Sequence, residues 1–228
     1  MSFETFRRTR ADRPFIVAQL GQSLDGRIAT RTGDSRYIGS HPSLDHLHRI
    51  RAHVDAVVVG IGTVLADDPQ LNVRRCEGGS PARIVIDAKG RLPAVAKCLD
   101  GADGVARYVF RALGTAGKTL PADVEIVELP AAGGHFAMAD LAAALNRLGF
   151  DRVLIEGGAQ IISQAIDAGI VDRLHLMISP VIIGSGRNGL DLAPIDLLRD
   201  ALRPKVDVIQ LGEGDVLFDC AFHQADAD

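Results

Sequence analysis

Three stretches of the chain are strand-like and apolar without any polar alternation: residues 56–60 (AVVVG), 82–88 (ARIVIDA) and 152–158 (RVLIEGG). A β-branched run with no polar face has nothing to offer to water, so each strand must be covered on both sides. That requirement selects a sheet with helices packed on its two faces. Helical patterns sit between the strands. Residues 138–150 (MADLAAALNRLGF) are amphipathic and close on Gly149 as a C-terminal stop, and residues 159–170 (AQIISQAIDAGI) form a second helix. Ser40-His41-Pro42 predicts a helix start, with serine as cap and proline in the first turn. Leu44, Leu47, His48 and Arg51 then recur at helical spacing.

Residues 15–20 (FIVAQL) read as a further buried strand ending at Gly21, with a short strand around Ile28. Residues 106–112 and 124–129 add two more, and the segment from Asp172 returns to strand. Residues 204–222 read as a hairpin turning on Gly-Glu-Gly. Strand and helix alternate until that terminal antiparallel pair. The expectation is an α/β fold with a mostly parallel mixed sheet, helices on both faces and an antiparallel edge. Neither a linker nor an internal repeat divides it, so one domain is expected over residues 14–228, after a loosely ordered polar arm at 1–13.

Composition narrows the function. A net charge of −4 argues against a nucleic-acid surface. No apolar run approaches the ~20 residues that span a bilayer, and the basic start lacks the hydrophobic region of a secretory signal. The three cysteines are isolated and offer no disulfide framework. A cytoplasmic protein is expected. Among the seven histidines only His41, His46 and His48 cluster, and they read as an exposed polar helix face with no metal.

Two glycine pairs follow buried strands. In the first, Gly60-Ile61-Gly62, a dinucleotide fingerprint needs a third glycine at position 65, where the chain has Leu65. Asp67-Asp68-Pro69 also ends the helix there too early for a full crossover. The pair therefore reads as a close approach of backbone to a ligand, with Thr63 at a short helix start, or as a tight turn. The second pair, Gly157-Gly158, follows Glu156 at a strand end and opens a helix, an arrangement suited to an anion. Arg51 and Arg74 could clamp a phosphate. No nucleophile elbow or Ser-His-Asp spacing is present. The residues alone reach a phosphorylated small molecule plus a nucleotide-like ligand.

The segments SLDGRIAT, TGDSRYI, GIGTVLADDPQLNVR, RIVIDA, LIEGGAQI and ISPVIIGSG, in this order, resemble the reductase domain family of riboflavin biosynthesis. The likeness runs from about Pro14 to the terminal hairpin. It implies a dihydrofolate-reductase-like three-layer sandwich and a homodimer. It also implies an NADPH-dependent oxidoreductase that converts a phosphoribosylaminopyrimidine, uracil or diaminopyrimidinone, to its ribitylamino product by hydride transfer to ribose C1′. By motif, Gly21, Tyr37, Thr63, Asp67 and Asp87 would lie along NADPH. Gly158, Ala159, Gln160, Ile161, Ile162, Ser163 and Gln164 would take its phosphates, and Arg111 and Lys118 its 2′-phosphate. Ser35, Arg51, Leu71, Arg74 and Glu156 would contact substrate, the arginines and Ser35 meeting the ribose phosphate and Glu156 the pyrimidine or ribose hydroxyls.

The chain departs from the family at two positions. Gln19 stands where many bacterial members carry lysine, and Tyr37 where tryptophan is frequent. The H-x-E…P-C-x-x-C signature of the deaminase fused to bacterial members is absent. The rival readings are a dihydrofolate-reductase-like reductase of another pterin or heteroaromatic compound, and a non-catalytic ligand-binding relative.

Overall fold

A computed structural model describes residues 13–36 and 38–222. Among these described residues, thirteen strands and four α-helices follow in chain order. They are β1 (Phe15–Ser23), β2 (Arg27–Thr30), α1 (His41–Arg51), β3 (Ala56–Gly60), α2 (Ile61–Asp67), β4 (Ala82–Ile86), β5 (Arg107–Ala112) and β6 (Val124–Leu129). Then come β7 (Ala131–Ala132), β8 (His135–Phe136), α3 (Met138–Arg147), β9 (Arg152–Glu156), α4 (Ala159–Asp167), β10 (Arg173–Ser179), β11 (Gly186–Asn188), β12 (Lys205–Gly212) and β13 (Asp215–Ala221).

Nine strands form one sheet in the order β12-β13-β10-β1-β9-β3-β4-β5-β6. All neighbours from β10 to β6 are parallel, and β13 and β12 close one edge antiparallel. The alternation-free strands lie where covering is complete: β3 and β4 are buried at every position. Side chains divide strictly by parity. Ala56 and Val58 face α3 and α4 through Leu141, Leu145, Ile162 and Ile166. Val57 and Val59 face α1 and α2 through Ile50, Ile61 and Val64. Two small antiparallel pairs, β2 with the distant β11 and the hairpin of β7 with β8, stand outside the main sheet.

Several local expectations change. β1 does not end at Gly21 but continues to Ser23, because Gly21 to Ser23 keep pairing with Met177 to Ser179. Ser40 sits at the N-cap position of α1 without capping it; its hydroxyl donates to Asp215 Oδ2 at 2.6 Å. Of the α1 histidines His41 is exposed as expected, but His46 and His48 are each 2% exposed, while Leu44 points outward. Arg13, the last residue of the expected arm, donates to both carboxylate oxygens of Asp172, at 2.8 and 2.9 Å.

Candidate active site

The chain leaves β3 through α2 toward β4, and leaves β9 through α4 toward β10 on the other side. β3 and β9 are adjacent, so their connections diverge. A crevice opens at the carboxyl ends of such strands, which is where α/β sheets bind ligands. Both glycine pairs lie there. A cleft of about 330 Å³ is lined by Gly60 to Thr63, by Gly158, Gln160, Ile161 and Gln164, and by Lys89, Arg91 and His135.

The two glycine loops touch. A Cβ at Gly157 would lie 3.2 Å from Thr63 Cγ2, and one at Gly158 would lie 3.4 Å from Thr63 Oγ1. Both residues have positive φ, +68° and +75°, a region that side chains disfavour. This left-handed pair leads the chain into α4 beside Thr63, and a helix start leaves its first amides without intrahelical partners. The cradle fits the pyrophosphate of a dinucleotide: small residues permit approach, amides donate, and the helix end is positive.

On the α1 face of the same strand ends lies a second group. Arg51 Nε donates to Glu156 Oε2 at 2.7 Å, Nη2 donates to Oε1, and Nη1 donates to the Asn72 carbonyl at 2.9 Å. Arg74 Nη1 donates to Asn72 Oδ1 at 2.9 Å. Burial and the neighbouring Arg51 push the Arg74 pKa down, with Glu156 opposing. Arg51 is 4% exposed, whereas the Arg74 side chain is open to solvent. Glu156 is in register with Gln19 of β1, and Gln19 with His175 of β10. A polar row therefore runs across the sheet beneath α1.

The structure thus gathers Arg51, Arg74 and Glu156 into one cluster, and Thr63 with Gly158, Gln160, Ile161 and Gln164 into the cleft; Ala159 does not line it. Glu156 is paired to Arg51 before any ligand arrives. Ser35 and Asp67, expected on different ligands, are neighbours, with Ser35 Oγ donating to Asp67 at 3.4 Å. Gly21 lies within β1, half-buried. Tyr37 falls outside the described residues.

Other expected contacts occupy different places. The Leu71 side chain is wholly buried in the core under α1 and α2, at a φ of +58°. Ile162 is wholly buried under the opposite face, and the Ser163 hydroxyl accepts from Asp191 N at 2.9 Å. Asp87 has no exposed surface; its carboxylate accepts from Arg91 N and Leu92 N at 2.9 and 2.7 Å. It therefore shapes the turn that carries Lys89 and Arg91 rather than lining the cleft.

Arg111 is 5% exposed and packs beneath Gly117, and neither it nor Lys118 lines the cleft. Lys89, Arg91 and His135 do line it and were missed. Their sequence signal was a cationic turn, Lys89-Gly90-Arg91, directly following the buried β4 strand.

A mostly parallel α/β sheet with a glycine-lined cleft at its switch point and a carboxylate–arginine cluster behind it is a dihydrofolate-reductase-like scaffold. Dihydrofolate reductase from Enterococcus faecalis superposes with a TM-score of 0.51 at 10% identity, over 91% of this chain and 96% of that one, a likeness of fold alone. Residues 14–211 match the RibD C-terminal domain, and the chain belongs to that family.

The chain is 35% identical over 204 residues to a 2,5-diamino-6-ribosylamino-4(3H)-pyrimidinone 5′-phosphate reductase from Methanothermobacter thermautotrophicus, covering 84% of this chain and 90% of that one. It is 28% identical over 219 residues to the riboflavin biosynthesis protein RibD of Actinobacillus pleuropneumoniae, covering 94% of this chain but 58% of the relative. The deaminase/reductase structure from Thermotoga maritima superposes with a TM-score of 0.76 at 28% identity, over 92% of this chain and 57% of that one.

Proposed function

We propose that the chain is an NADPH-dependent reductase of riboflavin biosynthesis acting on a phosphoribosylaminopyrimidine, with the 2,5-diamino-pyrimidinone compound as first choice of substrate. The observation that carries the reading is the contact of the two glycine loops through Thr63, with the Arg51–Glu156–Arg74 cluster behind them. The Methanothermobacter thermautotrophicus reductase, named for the diamino compound, matches along 90% of its length, which favours that compound over its deaminated form.

Thr63 and the amides of Gly158 to Gln160 would hold the pyrophosphate, and Lys89 and Arg91 the 2′-phosphate. When bound, the nicotinamide supplies the hydride that reduces C1′ of the opened ribosylamino group. The chain's own residues orient the partners: Arg74 takes the ribose phosphate, while the Arg51-paired Glu156 carboxylate accepts from ribose hydroxyls or pyrimidine amino groups. Such a site works by orientation and exclusion of water rather than by a strong acid.

The exposed β12 edge, with Val206 and Val208 outward, supports a homodimer, which sedimentation at micromolar concentration would test. Among the described residues no helix is long and apolar enough to cross a membrane, and we place the protein in the cytoplasm. The decisive assay follows NADPH oxidation with the diamino compound, the deaminated compound and dihydrofolate. Turnover of a ribosylamino compound with no activity on dihydrofolate is expected. No turnover of either ribosylamino compound overturns the reading.

A further inference from the structure

Residues 71–75 are stitched to α1 almost one residue at a time. Leu71 is plugged into the core. The Asn72 carbonyl accepts from Arg51 and the Asn72 side chain accepts from Arg74, each at 2.9 Å. Val73 N donates to Ser80 Oγ at 3.1 Å, and Arg74 N donates to His48 Nδ1 at 3.2 Å. Arg75 Nε donates to Asp45 Oδ1 at 2.6 Å. His48 lies one turn of α1 before Arg51 and is 2% exposed.

The donors of Arg51 are divided between Glu156 and Asn72. Arg74 gives one N–H to Asn72 and turns an exposed guanidinium outward. The direction of that guanidinium is fixed at two points, the Asn72 amide oxygen and the backbone N–H held by His48.

We propose that His48 is a positioning residue for the substrate's phosphate: its Nδ1 pins the Arg74 backbone while Asn72 pins the guanidinium, so that Arg74 meets the phosphate beside Arg51. This rests on the reductase reading of the site.

For Nδ1 to accept, the ring must be neutral with its proton on Nε2. The surroundings enforce that state. Burial, then Arg51 on α1 and Arg74 and Arg75 on the connector, push the His48 pKa down from 6.5 to about 4, with Asp45 on α1 opposing. Across pH 6 to 8 the ring therefore stays an acceptor, where an ordinary histidine would titrate. A protonated ring would lose the Arg74 N–H and add a cation to a group already holding three arginines.

His48→Leu removes the acceptor at similar volume, and His48→Asn keeps one near the Nδ1 position. Each variant is compared with the wild type by calorimetry with ribose 5-phosphate and with ribose. Steady-state kinetics follow, using the ribosylaminopyrimidine with and without its 5′-phosphate. Loss of one buried hydrogen bond, about 1 kcal/mol, weakens ribose 5-phosphate binding and raises the KM of the phosphorylated substrate by roughly five- to tenfold.

The losses are expected to vanish for the ligands without phosphate. The change is expected in KM rather than kcat, NADPH affinity is expected to hold, and His48→Asn should recover most of the loss. Equal losses with and without phosphate, no loss at all, or a His48→Asn as defective as His48→Leu would each overturn the role. If circular dichroism shows His48→Leu unfolded, Asn72→Ala decides by the same comparison. A wild type that fails to turn over any ribosylaminopyrimidine removes the reductase reading itself, whereas a fully active wild type with an indifferent His48→Leu removes this inference alone.

Discussion

Arg51 and Glu156 make a fork-to-fork ion pair with side chains 5% and 12% exposed, joining the end of α1 to the end of β9 across 105 residues of sequence. Replacing Glu156 by methionine leaves a guanidinium with one backbone acceptor and almost no water. Breaking a buried pair in this way costs about 3–5 kcal/mol. Arg51→Met leaves Glu156 alone; that carboxylate keeps slightly more access to water, so the loss falls at the lower end of the same range.

The double variant Arg51→Met/Glu156→Met removes both charges and fills the space with apolar atoms. Its cost is expected to be only about 1 kcal/mol, mainly the lost bond to the Asn72 carbonyl. The assay is urea unfolding followed by circular dichroism. At a slope of about 3 kcal/mol/M, each single variant shifts the midpoint down by roughly 1–1.7 M and the double by a few tenths. A double variant as unstable as the sum of the singles would refute the reasoning, because the two charges would then be solvated independently. The double should also be folded yet inactive, which separates the pair's part in stability from its part in binding.

Three further outcomes follow from the same geometry. Gly157→Ala forces a side chain into a left-handed residue 3.2 Å from Thr63 Cγ2; a stability loss of about 1–2 kcal/mol and weaker NADPH binding are expected, read by thermal unfolding and fluorescence quenching. Lys89→Ala and Arg91→Ala should each weaken NADPH binding about tenfold while leaving NADH nearly unchanged, and equal losses for the two cofactors would remove these residues from the 2′-phosphate. Stability should fall as the solution is acidified from pH 7 to 5. Burial first, then His175 and Arg49, lower the His46 pKa from 6.5 to about 3, so in this window the unfolded chain binds a proton that the folded chain refuses. The His46 contribution is about 2 kcal/mol by pH 5, His48 acts in the same direction, and His46→Leu should flatten the slope measured by urea unfolding.

The parts of this fold that the sequence made legible are those governed by neighbours in the chain. Burial of β3 and β4 on both sides follows from runs without polar alternation. The shortness of α2 follows from Asp68-Pro69, and the terminal hairpin from Glu213-Gly214, both at positive φ. The burial of His46 and His48 is not legible in the sequence because their partners are remote. His46 Nε2 lies 3.1 Å from His175 Nδ1 across 129 residues, and His175 lies 3.3 Å from Asp219. A polar helix face reads as solvated unless the sheet beneath it is also polar. Here Glu156, Gln19, His175 and Asp219 fall in one register row on four adjacent strands. Local pattern cannot reveal that row, since it comes into being only when β1 inserts between β9 and β10.

Residue roles carried over by motif show the same division. Thr63 and Gly158 lie side by side because each glycine loop follows directly from its own strand. Leu71, Asp87, Ile162 and Ser163 lie within the same motifs, yet their side chains hold the loops in shape from below. A motif preserves a backbone path, and half of its residues secure that path from the core side. The connector from Gly60 to Arg74 makes the point physically. Its first residues wall the cleft on one side of the sheet's switch point, Leu71 anchors its middle, and Asn72 and Arg74 emerge on the α1 face beside Arg51. The distance between the two proposed ligand subsites is therefore set by the buried leucine, so shortening or lengthening the segment around Leu71 should uncouple cofactor binding from phosphate binding before it unfolds the sheet.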